Sequence, residues 1–105
     1  MTAADVKYSL DRARSNDSTN AQKNLFADIK NVTVINSLTV EVTLKTPNGS
    51  FITNMAWGDA IIVSEKTIST IETDPVGTGP LKFSKWVKGD RVELIKNNSY
   101  WGAKI

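Results

Sequence analysis

Val6, Leu10 and Ala13 recur at helical spacing behind Thr2 and Asp5, and Arg12 and Arg14 follow near the far end. Thr2 with an acid three residues on forms a capping-box start in which Asp stands where Glu or Gln is usual, so the pattern predicts a helix over residues 2–14. Ser15 to Asn20 is a polar break of turn-forming residues. Thr19 or Asn20 then caps a second predicted helix over 20–30, with Leu25 and Ile29 on one face and Phe26 beside them. The period next changes from helical to alternating. Val32 and Val34 alternate with Thr33 and Ile35, Asn36-Ser37 turns the chain, and Val40, Val42 and Leu44 alternate with Thr39, Glu41 and Thr43. This predicts antiparallel strands over 32–36 and 39–45 with one wet face. Pro47-Asn48-Gly49 ends the second strand, and Ser50 caps a short predicted helix over 50–57 that carries Phe51, Ile52, Met55 and Ala56 and stops at Gly58. Ala60 to Val63 reads as a short apolar strand over 60–63, and Ser64 caps a last helical stretch over 65–71 with Ile68 and Ile71.

The run Asp74 to Gly102 organises the rest. Pro75, Gly77, Gly79 and Pro80 fix two φ angles and free two others, so no helix passes through and the backbone turns sharply. Leu81 to Val87 and Arg91 to Ile95 read as strands joined by Lys88-Gly89-Asp90, where Gly89 is free to take the positive φ that a short hairpin loop needs. An Asn-rich turn then leads into Tyr100-Trp101-Gly102. Taken together the order predicts an α+β fold, a mainly antiparallel sheet with short helices packed on it, ending in a β-hairpin. Residues 74–80 are the best candidate for a joint, which divides the chain into a small domain over 1–80 and a hairpin with an aromatic tail over 81–105.

A chain of 105 residues is one domain by length and supports a single modest core. Its formal charge of +2 is unevenly placed: residues 1–80 carry seven Lys/Arg against nine Asp/Glu, and residues 81–105 carry six against two. A basic, aromatic hairpin is compatible with nucleic acid, but dispersed cations without an arginine cluster read as a solvated face, and no nucleic-acid partner is expected. Cysteine and histidine are both absent. That removes disulfides, thiol chemistry, and the commonest general base and metal ligand. Glu41, Asp59, Glu65, Glu72 and Asp74 are scattered, with neither a nucleophile motif nor a metal spacing among them, so the reading is no enzyme, no metal and no cofactor. Nor does any apolar run approach the length of a membrane span.

PVGTGP, the hairpin with Trp86 and Gly89-Asp90, the Asn-rich turn into Tyr100-Trp101-Gly102, and the opening Thr2-Ala3-Ala4-Asp5-Val6-Lys7-Tyr8-Ser9-Leu10-Asp11-Arg12-Ala13 together resemble the family 5 extracellular solute-binding proteins. These are the peptide- and nickel-binding receptors of bacterial ABC importers, and the segment Val32 to Pro47 is similar to the family's strand pair. The resemblance runs nearly end to end. It implies a fragment of a periplasmic-binding-protein type II-like receptor: the small extra domain plus, over 81–105, the strands that rejoin the first lobe. It further implies an oligopeptide or similar small solute and an ABC permease as partners of the full receptor. The implied location is periplasmic or extracellular, as a membrane-anchored lipoprotein in a Gram-positive organism. The alternative is a structural, self-associating domain with no solute binding of its own.

Candidate site residues follow, each beside a plainer reading. Gly77, Thr78, Gly79 and Pro80 suggest a phosphate loop, but a strand follows and Pro80 removes a donor, so a crossover turn between domains is preferred. Trp57, Gly58 and Asp59 combine a ring, a bare backbone and a carboxylate, which suits a concave polar site, although a packed ring and a solvated turn are the plainer reading. Asn24 and Phe26 are ligand-facing candidates by resemblance, with core packing favoured for Phe26. Trp86, Tyr100 and Trp101 form either an aromatic platform or a packing surface against the rest of a receptor.

Overall fold

A computed structural model describes residues 1–103, so the last two positions of the predicted 81–105 segment lie outside the described residues. The chain forms two compact units, Met1–Glu65 and a second from Lys66 onward. The joint expected at 74–80 therefore falls inside the second unit.

The first unit is built on helix α1, Ala3–Arg14. Its start is held by the Asp5 carboxylate, which accepts the Thr2 backbone N–H at 2.7 Å and the Thr2 hydroxyl at 3.3 Å. Acid in the first turn and Arg12 and Arg14 in the last complement the helix dipole. The second helix is far shorter than the predicted 20–30: α2 is only Lys23–Phe26. Asn20 stops it from starting earlier, because its side-chain oxygen takes the Gln22 N–H at 2.8 Å in an Asx turn. Its far end is set by β pairing, since the Asp28 carbonyl already accepts the Lys45 N–H at 2.8 Å.

Ile29 is thus a strand residue and not a helix-face residue. Strand β1, Ile29–Asn36, pairs antiparallel with β2, Thr39–Leu44, with Val32 opposite Val42 and Val34 opposite Val40. Asn36 shapes the turn by accepting the Leu38 N–H at 2.9 Å. The predicted helix 50–57 is helical only over α3, Phe51–Asn54, before looser turns carry the chain to Gly58. Leu10, Phe26, Ile29, Val32 and Phe51 form the core, with Val6, Leu25, Val42, Leu44 and Met55 packed around it. Burying one such Phe fully contributes about 1.5–3 kcal/mol, so Phe26 and Ile29, each 1% exposed, anchor the unit.

Residues 60–63 do not form the predicted strand. They lack a ladder partner, and Val63 is bonded to helix α1 instead: the buried Ser9 hydroxyl accepts the Val63 N–H at 2.8 Å and lies 2.7 Å from the Asp5 carbonyl. A hydroxyl on a helix removes the need for a neighbouring strand. The last predicted helix is a 3₁₀ helix, Glu65–Thr70.

In the second unit β3, Leu81–Val87, pairs antiparallel with β4, Arg91–Lys96. Gly89 closes the loop with φ of 80°, the left-handed conformation that its lack of a Cβ allows. A register shift between Phe83 and Lys85 places one extra residue, Ser84, in β3. It resets the side-chain alternation. Phe83 opposite Leu94 and Trp86 opposite Val92 then share a face with Leu81, although three residues separate the two rings. Lys82, Ile95, Lys85, Glu93 and Arg91 lie on the other face.

Candidate functional site

The turn 57–60 follows directly from where α3 ends. The Trp57 N–H bonds the Asn54 carbonyl at 3.2 Å and the Ala60 N–H bonds the Trp57 carbonyl at 3.0 Å, which folds the chain tightly and leaves the Trp57 ring 52% exposed. Gly58 is exposed and Asp59 half-buried. Asn20 Nδ2 donates to the Asp59 carbonyl at 2.9 Å, fastening this turn to the stretch that leads into α2. Of the two candidates on α2, Asn24 lies at the surface, while Phe26 is sealed in the core and offers no face to a ligand. Burial of its ring outweighs any role at a cleft.

Along α1 a charged stripe ties the helix to β1. Asp11 accepts from Lys7 at 2.7 Å and from Arg14 at 2.8 Å, while Lys7 also reaches the Val32 carbonyl at 2.8 Å and Arg14 the Ile29 carbonyl at 3.2 Å. Partial burial works to raise the Asp11 carboxyl, but the hydrogen bonds and charges of Lys7 and Arg14 outweigh it and hold the group below the usual carboxylate range. Asp5 is also held low, chiefly by the Thr2 backbone N–H, with the Ser64 side chain adding to it against desolvation.

Within the second unit the Gly77-Thr78-Gly79-Pro80 turn is shaped by Asn97. Asn97 is buried; its Nδ2 donates to the Gly79 carbonyl at 2.8 Å and its backbone N–H to the Pro80 carbonyl at 2.9 Å. Neither Gly77 nor Gly79 has positive φ, and a Cβ at either would meet nothing within 4 Å, so the turn conformation itself demands no glycine. The backbone donors of a phosphate loop are not what this turn is organised around. Beyond it, the Tyr100 ring lies where a Cβ on Gly102 would come within 2.7 Å, which explains glycine there. The Tyr100 and Trp101 rings sit 5.3 Å apart, and Trp101 is 81% exposed. Trp86 is 48% exposed with the Lys88 ammonium 5.7 Å from its ring centroid.

Sequence reasoning singled out neither Asn97 nor Ser9 as an organiser, and it read Asn20 as a helix cap rather than as the tie to the Asp59 turn. For Asn97 a signal was present: Asn followed two residues on by Ser99 is an Asx-turn pattern, and Ser99 N–H does bond Asn97 Oδ1 at 3.1 Å. Ser9 carried none, because its partner is 54 residues away. Among the described residues no three Asp or Glu side chains gather to hold a metal ion, and no helix is long and apolar enough to cross a membrane.

What the geometry provides is turns and exposed rings on an α+β frame. This agrees with the comparisons: the model of the bacterial extracellular solute-binding proteins, family 5 (middle), matches residues 1–105, and the chain belongs to that family. Among curated relatives it is 39% identical over 109 residues to the glutathione-binding protein GsiB of Pectobacterium atrosepticum, covering 100% of this chain and 21% of the relative. To GsiB of Escherichia coli O1:K1 it is 36% identical over 105 residues, 96% of this chain and 20% of the relative. Among solved structures, NikZ of Campylobacter jejuni in complex with Ni(L-His) superimposes with a TM-score of 0.84 at 28% identity over 98% of this chain and 22% of that one. DppA of Helicobacter pylori in complex with the peptide STSA gives 0.81 at 28% identity over 98% and 24%. The chain therefore spans about a fifth of the length of the curated relatives it matches.

Proposed function

We propose that this chain is one part of an extracytoplasmic receptor that captures a small peptide-like solute, glutathione or an oligopeptide, and delivers it to an ABC permease. The observation that carries the reading is the end-to-end match to a solute-binding family, at a fifth of the relatives' length, in a chain without histidine or cysteine. In this reading the work is shape and contact, with no bond made or broken. The turn Trp57-Gly58-Asp59 and Asn24, which lie in the same unit, supply part of one wall of the cleft. The 81–105 segment rejoins the first lobe of the receptor, and the turn 77–80 is the passage to it. A cleft needs both sides, so the chain alone holds solute weakly or not at all.

A second reading rests on the half-exposed face of Leu81, Trp86, Val92 and Leu94: a chain whose behaviour is self-association through that face. One experiment separates the two. In the full-length receptor, titration calorimetry with glutathione and with a tetrapeptide should show Trp57→Ala weakening affinity several-fold. Trp86→Ala should lower soluble yield and melting temperature while leaving affinity unchanged. If Trp86→Ala weakens binding and Trp57→Ala does not, the assignment of wall and packing surface is wrong. If neither full-length protein nor variant binds any peptide and light scattering finds concentration-dependent oligomers, the second reading replaces the first.

A further inference from the structure

We infer that Asn97 is a clasp that joins the two segments flanking the β3–β4 ribbon, the turn before it and the tail after it, into one joint. Four hydrogen bonds converge on this buried residue. Its side-chain Nδ2 donates to the Gly79 carbonyl at 2.8 Å and its backbone N–H to the Pro80 carbonyl at 2.9 Å, both on the incoming segment. On the outgoing side its Oδ1 accepts the Ser99 N–H at 3.1 Å and its carbonyl accepts the Tyr100 N–H at 3.0 Å. One amide side chain thus uses its donor on one segment and its acceptor on the other. No other amino acid offers this division at this length: Asp lacks the donor, Ser is too short to span both, and Gln carries one more rotatable bond.

The surroundings make the clasp matter. The turn has no other organiser in the conformation of its glycines, and the ribbon itself is two strands, which are marginal alone. Among the described residues of the second unit Asn97 is the buried polar one, and burial both strengthens its bonds and makes losing one costly. With the clasp closed, residues 77–80 and 97–102 move together. With its donor removed they move separately, and the direction in which the chain leaves the ribbon is no longer tied to the direction in which it arrives. Every residue involved lies in the second unit, so the inference stands whether or not the receptor assignment does.

The test uses the chain itself and one isosteric variant. In the unmodified protein, NMR should detect the Asn97 side-chain amide as slowly exchanging and in contact with Gly79. Asn97→Asp keeps the acceptor for Ser99 and removes the donor to Gly79. It should speed exchange of the residue 97 backbone amide by about tenfold and raise fast backbone motion at Gly77 and Gly79, while Ser99 and the mid-ribbon amides stay as they were. A freely exchanging Asn97 side chain in the unmodified protein overturns the inference even if the variant fails to fold. So does an Asn97→Asp protein whose turn is as rigid as the original.

Discussion

Asp11 shows how one side chain is set by its neighbours. It sits between Lys7 and Arg14 on one face of α1, and both cations also reach carbonyls of β1. Each helix pair of this kind contributes about 0.3–0.5 kcal/mol when partly exposed. Because the folded-state carboxyl is held below its unfolded value, its stabilisation is complete above about pH 4 and is lost as the pH falls through the folded value. Asp5, held low by the Thr2 backbone N–H, has the same sign. Asp11→Asn should therefore lower the urea midpoint modestly at pH 7 and leave it close to that of the unmodified protein at pH 2.5. A midpoint difference that grows in acid contradicts this account.

At the scale of elements, the ribbon accommodates a single inserted residue, Ser84. Deleting Ser84 removes the bulge and leaves a regular ladder, in which Phe83 opposite Leu94 and Trp86 opposite Val92 still share a face. The expected outcome is that the deletion variant binds an apolar dye as the unmodified protein does; lost dye binding would mean that Ser84 is not the extra residue. The hairpin itself was readable from Gly89 and the alternation around it, and so was α1 from its capping box. What was not readable was the inserted residue, since Leu81 to Val87 gives no sign of which residue is extra. The same holds for the region 20–30, where Ile29 fits a helix face as well as it fits a strand. A long-range bond, from Asp28 to Lys45, decides between them. For residues 60–63 apolar composition suggested a strand, and a hydroxyl from α1 took the place of a partner. The candidate residues divided similarly: Trp57 and Asn24 lie at the surface, whereas Phe26 followed its hydrophobicity inward.

For the whole molecule, the buried apolar residues Ala3, Leu10, Phe26, Ile29, Val32 and Phe51 all belong to the first unit. The second has rings and aliphatic side chains half in water. Hydrogen exchange should therefore proceed in two stages, with β3 and β4 amides exchanging well before those of α1 and β1. A single shared rate across both would mean one cooperative body. The cations that grip β1 have a further effect on how many such molecules behave in concentrated solution. In a two-stranded sheet every strand is an edge, and an edge with bare carbonyls is a template on which a second chain lays down a strand of its own. Lys7 occupies the carbonyl of Val32 and Arg14 those of Ile29 and Lys30, so acetylating Lys7 bares one acceptor to a second chain while Arg14 still covers the other two, long before the core gives way.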